Sequence, residues 1–409
     1  MSWEKVRLGS IIHSEGIFKD GDWIESKDQD PNGHVRLIQL ADIGIGEFID
    51  KSTRYMTKDK AIELKCTFLK KGDILIARMP DPIGRCCIFP LEEENKYVTV
   101  VDIAILRPNN PQISIDYLQH YINSENFQTQ IRPHISGTTR QRISRGKLES
   151  LEIPLPPLAV QEKIADILDK ADELRRKDEA LLAKYDELAQ AIFIDMFGDP
   201  VKNEKGWEVK RLNDFCSKIQ SGNTPKGGSE VYVPHGIKFF RSQNVWKNRL
   251  ELSDIAFIDE ETHKKMRASS LCHKDILMTK TGRFNTENSS LGRAALFLGD
   301  DNSANINGHV YLIRINSKDI LPEFVVFILT TMQFRDLIRR VCVGGIDKRQ
   351  LNKEHIQDFP IILPPLHLQE AFAKKIELIN QLKGQTNAEK SEELFQSLLQ
   401  AAFKEELVV

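Results

Sequence analysis

The sequence predicts an α+β protein made of two copies of one mixed α/β module, each followed by a long helix. Three observations carry this. The first is a repeat, which must be sought before any other reading because a missed repeat miscalls the fold. Leu155-Pro156-Pro157-Leu158 with Gln161-Glu162 returns as Leu363-Pro364-Pro365-Leu366 with Gln369-Glu370, a shift of 208 residues in a chain of 409. The second is an apolar pattern of helical spacing after each Pro-Pro pair. The third is a set of short β-like runs before each pair. The expected division is a first module over 1–153, a first long helix over 154–199, a second module over 200–361 and a second long helix over 362–409. Two similar modules on one chain predict a pseudo-twofold object, with the two coiled-coil-like helices antiparallel.

The modules begin alike: Trp3-Glu4 with Arg7-Leu8 matches Trp207-Glu208 with Arg211-Leu212. Strands follow at Asp73–Ala77, Arg85–Phe89 and Tyr97–Leu106 and at their second-copy equivalents, where Asp73-Ile74-Leu75 matches Asp275-Ile276-Leu277 and Gly84-Arg85 matches Gly292-Arg293. Turn residues separate them, as at Lys71-Gly72-Asp73, Pro80-Asp81-Pro82 and Gly222-Asn223-Thr224-Pro225. Each module carries one convincing helix, Ile115–Arg132 and Pro322–Arg340, with Phe127 matching Phe334. Gly137 and Arg140 then match Gly345 and Lys348.

The proline pair ends what precedes it and tolerably opens a helix. Behind it, Ile164, Ile167, Leu168, Ala171, Leu174, Leu181, Tyr185, Leu188 and Ile192 form a three-four stripe, closed by Gly198-Asp199-Pro200. The second stripe runs Phe372, Ile376, Ile379, Leu382, Leu394, Leu398 and Ala402, weakened at Gly384–Asn387. Each predicted helix is about 40 residues, or roughly 60 Å. A single stripe could not stand exposed, so packing of one helix on the other is the economical solution.

Composition agrees with soluble globular protein: hydrophobic residues are 41% and charged residues 28%. No apolar run reaches the length of a membrane span, and the first 30 residues are mixed and charged, which predicts a cytoplasmic chain without a signal peptide. Cys66, Cys86, Cys87, Cys216, Cys272 and Cys342 follow neither a disulfide framework nor a zinc spacing, so they are read as reduced thiols. Net charge is −2, but the helices carry −7 and the globular parts +5. Basic charge therefore sits on the modules.

The repeated Leu-Pro-Pro-Leu-x-x-Gln-Glu, the Trp-x-x-x-x-Leu openings, Gly72-Asp73-Ile74-Leu75 followed by Gly84-Arg85, and Gly137-Thr138-Thr139-Arg140 resemble the specificity subunits of type I restriction–modification systems. The resemblance covers the whole chain. It implies two target recognition domains, each reading half of an interrupted, asymmetric sequence in double-stranded DNA. The helices are then implied to dock two methyltransferase subunits and to fix the gap between half-sites, with restriction/motor subunits joining the same assembly. S-adenosylmethionine and ATP are implied on those partners, and none on this chain. From it Leu158, Gln161, Ile164 and Leu168, with Leu366, Gln369, Phe372 and Ile376, are expected to form the docking helices.

Catalysis on this chain lacks its parts. The Pro-Pro pairs stand between leucines rather than in an Asn/Asp-Pro-Pro-aromatic step. Gly222 and Gly227 have the spacing of a phosphate loop, but Gly228 and Ser229 follow where its lysine should stand. A carboxylate-plus-lysine nuclease drawn from Pro80-Asp81 and Glu94-Asn95-Lys96 is a short pattern, absent from the second copy. Histidines at 120, 134, 235, 263, 273 and 309 show no metal or triad spacing.

Phosphate contacts set affinity and register, while base edges set sequence. Arg and Lys suit guanine, and Asn and Gln suit adenine. Loops that differ between matching modules should read sequence, because the half-sites differ. The expected DNA-binding residues are therefore Arg78 and Arg85 flanking the Ile76–Gly84 loop, and Lys280, Arg283, Asn285, Asn288 and Arg293 on its longer partner. Gln39 with Arg241 and Asn244 forms a matched but different set, and Arg140, Arg142, Arg145, Lys348 and Arg349 form basic clusters before the prolines. The expected function is a non-catalytic DNA-recognition subunit in phage defence. Two alternatives stay open: the specificity subunit of a related methyltransferase–nuclease outside type I, and an assembly scaffold that does not read DNA.

Overall fold

The structure is a computed structural model, and it describes residues 3–79, 82–283, 289–345 and 348–404. The chain forms two units, one of residues 1–180 with 387–409 and one of 181–386. Each unit takes in its module together with parts of both long helices, so packing does not leave the helices as segments apart.

In the first unit Lys5–Arg7 pairs antiparallel with Glu152–Pro154, joining the module's start to its end just before the prolines. Ile74–Ala77 lies inside a four-stranded antiparallel sheet in the order Ile17–Asp20, Ile103–Arg107, Ile74–Ala77, Cys86–Ile88. All four of its residues are buried, which is why it reads as an unbroken apolar run. A three-stranded sheet sets Val35–Ile38 between Tyr55–Met56 and Tyr97–Thr99, the last pair parallel.

The second unit repeats this plan. Glu208–Arg211 pairs with Pro360–Leu363. The four-stranded sheet runs Cys216–Ser221, Val310–Ile315, Ile276–Thr279, Ala294–Leu296. The three-stranded sheet sets Ile237–Phe240 between Ala256–Ile258 and a parallel Ala304–Ile306. It adds one small sheet, Thr281–Gly282, Arg349–Gln350, Val343–Gly344, formed from the expected reading segments.

The helix expected over Ile115–Arg132 is two helices, Ile115–Ile122 and Glu125–Ile131. Ser124 ends one and starts the next, its hydroxyl donating to Tyr121 O at 2.6 Å and accepting from Phe127 N at 3.4 Å. The second copy breaks likewise into Pro322–Thr330 and Met332–Val341 at Thr331, whose Oγ1 donates to Ile328 O and accepts from Phe334 N.

Leu158–Phe197 is one helix of 40 residues, as expected. The second long helix is not continuous. It divides into Leu366–Gln385 and Ala388–Phe403 at Thr386-Asn387, inside the weak patch, where Gly, Thr and Asn hold a helix poorly. In the second unit the two helices run antiparallel: Asp186 pairs with Lys383, while Phe193 and Phe197 each meet Phe372 edge-on at 5.5 Å between ring centres. In the first unit Arg175 reaches Glu392 at 3.5 Å and lies over the Phe395 ring.

Candidate nucleic-acid interface

In the first unit the backbone brings two expected segments together. Ile143 N donates to Arg78 O at 3.2 Å, so the end of the central strand lies beside the stretch before the prolines. That stretch is a small hairpin in which Ser136 and Arg142 exchange both backbone bonds at 2.9 Å. Gly137 turns it at φ +99, where a Cβ would come within 2.5 Å of Arg140 O. Arg140 and Arg142 stand exposed on this hairpin, and among the described residues neither meets a carboxylate. Arg145 opens the helix Arg145–Ser150 half-buried, paired with Glu149 and donating to Phe18 O at 3.2 Å.

In the second unit the same two segments meet as strands. Gly282 pairs with Arg349, and Arg349 pairs in turn with Gly344. Gly344, at φ +117, holds the place of Gly137, and a Cβ there would collide with Lys348 O. The match of Gly137 with Gly345 is thus corrected to Gly344, and the second hairpin is one residue longer. Arg283 and Lys348 are exposed at this edge. Lys280 lies behind them with its Nζ 5.6 Å from the centre of the Tyr311 ring. Arg349 is half-buried and donates to Cys342 O at 3.3 Å. Asn285 and Asn288 lie outside the described residues.

Several expected contacts face inward. Asn244 is 1% exposed, and its amide is used up inside its own loop. Its oxygen accepts from Arg241 N at 2.9 Å, and its nitrogen donates to Glu251 O and Asp254 O, each at 3.0 Å. It is a loop organiser, not a base reader. Asp42 does the same work in the first unit, accepting from the backbones of Gln39, Lys51 and Ser52. Gln39 is half-buried at that turn. Arg85 donates to Ile43 O, Pro82 O and Leu40 O, clamping the loop it was expected to extend from. Arg78 is 8% exposed, with Nη2 on Val101 O at 2.6 Å and Nε 3.3 Å from Asp20. Arg241 pairs with Asp254 at 3.0 Å, and Arg293 is 6% exposed against Trp246. Arg78, Arg85 and Asn244 are therefore withdrawn as DNA contacts: their polar atoms hold the protein's own backbone or a carboxylate.

Of the expected docking residues, Gln161, Ile164, Leu168, Gln369 and Phe372 are buried in their own units. Gln161 is buried, its oxygen accepting from Ser114 N at 3.0 Å and its nitrogen donating to Gln112 O at 3.1 Å and Pro156 O at 2.8 Å. Gln369 makes the same three bonds, with Leu321 N, Asp319 O and Pro364 O. These glutamines fasten each helix to its own module. Ile164, Leu168 and Phe372 are core residues of their units, whereas Leu158 and Ile376 are half-buried and Leu366 is exposed. The stripe reading missed where the apolar surface lies: Leu174, Leu181 and Leu188 are exposed at a spacing of seven, and Leu378 and Leu394 are exposed without that spacing.

Glu94-Asn95-Lys96 is an exposed turn with Lys96 paired to Glu93, and Pro80 and Asp81 lie outside the described residues. Among the described residues no group of His, Cys, Asp or Glu could hold a metal ion. All six cysteines are free. Burial pushes the Cys87 and Cys216 thiols up to about 12, which keeps them protonated and unreactive.

The family model of the type I restriction modification DNA specificity domain matches residues 1–183 and again 204–395. The type I restriction enzyme MjaIX specificity subunit of Methanocaldococcus jannaschii is 28% identical over 80% of this chain and 74% of its own length. The StySPI specificity subunit of Salmonella potsdam is 23% identical over 74% of this chain and 67% of its own. The crystal structure of a type I restriction–modification S subunit from M. genitalium superposes with a TM-score of 0.55 at 17% identity, covering 98% of this chain and 96% of that one.

Proposed function

Because the chain belongs to the family of type I restriction modification DNA specificity domains, we propose that it reads a bipartite, asymmetric target in double-stranded DNA, one half-site per module, without catalysing a reaction itself. One observation carries this reading. Two modules of the same plan each bring a basic hairpin beside the end of a central strand, and those segments differ between them. Arg140 and Arg142 supply the exposed charge in the first, Arg283 and Lys348 in the second. Arginine at such an edge suits guanine, and lysine suits phosphate.

The partners in this proposal are two methyltransferase subunits, which bring S-adenosylmethionine, and through them restriction subunits, which bring ATP. In the second unit, exposed Leu181 and Leu188, seven residues apart, offer such a partner an apolar stripe at helical spacing. Among the described residues no helix is long and apolar enough to cross a membrane, and the proposed place of work is the cytoplasm, where the DNA is.

The test assembles the chain with a cognate methyltransferase and maps the methylated sites. A bipartite motif that depends on this chain supports the reading. Exchanging residues 200–355 for those of another specificity subunit should change one half-site only. Changes in both halves would end the idea of independent readout, and methylation indifferent to this chain would end the reading itself.

A further inference from the structure

We infer that the second unit holds a site for one phosphate group of the DNA strand, built from Arg335 at Gly292 and from Arg293 and Arg249 at the Trp246 ring; the inference rests on the DNA-reading function proposed above. Arg335 follows the buried Phe334 on the helix Met332–Val341 and is itself only 7% exposed. Its hydrogen bond is from Nη1 to Gly292 O at 3.3 Å. Arg293 follows that glycine, with its guanidinium carbon 3.8 Å from the centre of the Trp246 ring and its Nε donating to Ser289 O. Arg249 is exposed, with its guanidinium carbon 5.5 Å from the centre of the same ring. Among the described residues no carboxylate lies within ion-pair distance of Arg335 or Arg249. Asp336 is turned to Arg339 at 3.0 Å, and the Glu251 carboxylate takes the backbone of Ser253.

A buried cation without a counter-charge is costly, and a second cation beside it adds repulsion. Burial pushes the Arg335 guanidinium down to about 10, and Arg339 and Arg293 push the same way against Asp336. Burial and then Arg249 lower Arg293. At neutral pH both remain charged. The Trp246 face offsets part of this, as an aromatic quadrupole does for a stacked guanidinium. The rest is what an anion would relieve.

The fold does not demand the cluster, because the first unit lacks it. The bridge Ile43↔Phe48 there corresponds to Val245↔Leu250, which places Gly44 opposite Trp246 and Glu47 opposite Arg249. Phe127 corresponds to Phe334, which places Gln128 opposite Arg335. Glu47 pairs with Arg176 at 2.8 Å, and Arg85, in the place of Arg293, likewise donates to backbone carbonyls. The first unit thus carries no arginine in the places of Arg249 and Arg335.

The location selects the ligand. The Ser289 carbonyl receives the Arg293 bond, and the Ser289 hydroxyl donates to Arg283 O. The cluster thus sits at the root of the segment proposed to read bases. Several guanidinium forks suit the multiple oxygens of a phosphate, and a phosphate held there would fix the register in which Arg283 meets a base.

The test uses the full chain assembled with its methyltransferase subunits, titrated with target DNA across a salt series. Arg335→Gln and Arg249→Glu each install the first unit's residue. Arg335→Gln is expected to reduce the slope of log Kd against log salt by about 0.9, the value of one phosphate contact. The methylated letters should stay the same, and the melting temperature of the DNA-free protein should hold or rise, since a strained charge is gone. Arg335→Lys should keep most of the slope. A specific wild type whose Arg335→Gln and Arg249→Glu variants keep the full slope overturns the phosphate site alone, as does a falling melting temperature with an unchanged slope. A melting response to inorganic phosphate lost in Arg335→Gln, with the DNA slope intact, marks a free-anion site and also overturns it. A wild type without sequence preference overturns the DNA-reading function and this site with it.

Discussion

Arg314 grips Asp275 through two parallel hydrogen bonds, Nε to Oδ1 at 2.8 Å and Nη2 to Oδ2 at 2.7 Å. Asp275 is 1% exposed and also accepts from Cys272 N, while Arg314 donates to Ser270 O. Arg107 and Asp73 repeat the pair in the first unit at 2.6 and 2.7 Å, with Lys70 N and Phe68 O in the supporting places. Each pair ties the start of one central strand to its neighbour. Removing one partner strands the other charge, so Asp275→Ala should destabilise its unit by about 3–5 kcal/mol. Denaturant unfolding measures this, and a loss under 1 kcal/mol would show the pair to be dispensable.

Arg283→Ala should weaken target binding by about 1–3 kcal/mol, with the loss concentrated on particular sequences at one position of the second half-site. Lys348→Ala, at the same edge, should instead lower affinity alike for all sequences and flatten the salt dependence. Binding to a panel of singly altered targets separates the two. Equal losses across the panel for Arg283→Ala would make it a phosphate contact.

Gln369→Ala leaves Leu321 N, Asp319 O and Pro364 O without their partner, at about 1–3 kcal/mol for each group that water does not rescue. Gln161→Ala should act the same way on the first unit. Hydrogen exchange should show the first turn of the adjoining helix opening before the module's sheets. Uniform protection in the variant would contradict this.

His263 is held below its ordinary pKa by burial, against weaker upward pulls from the Asn302 backbone and Glu260. Its Nδ1 faces the Asn305 amide at 3.2 Å. The unfolded chain therefore binds the proton more readily than the folded one. The stability this neutral ring contributes is present above the ordinary histidine pKa of 6.5 and is lost as pH falls below it. Melting temperature should drop between neutral pH and mildly acid pH by more in the wild type than in His263→Gln. Parallel curves would sink the assignment.

The repeat made most of this fold legible. Matching residues such as Asp73 with Asp275 occupy matching bonds, and the prolines open helices where expected. The breaks at Ser124 and Thr331 were hidden because each cap lies between two apolar stretches that continue one helical pattern. The site was less legible, because arginine and glutamine look alike in sequence whether they face solvent or a carbonyl. Arg85 and Arg140 differ only in what surrounds them: three backbone oxygens for one, an exposed hairpin turned by Gly137 for the other. Arg335 gave no signal, since one arginine in a helical stretch reads as a solvated charge until Gly292 is brought to it.

The glutamines at the two helix starts have one more consequence. Among the described residues every partner of Gln161 and of Gln369 is a main-chain group. The joint between module and helix is therefore indifferent to which residues the module carries at those places. It works as a socket of fixed gauge: any module whose chain follows the same path can be plugged into the same helix. New recognition could then be acquired by trading whole modules across this seam, with no need to redesign the helices that the rest of the machine would hold.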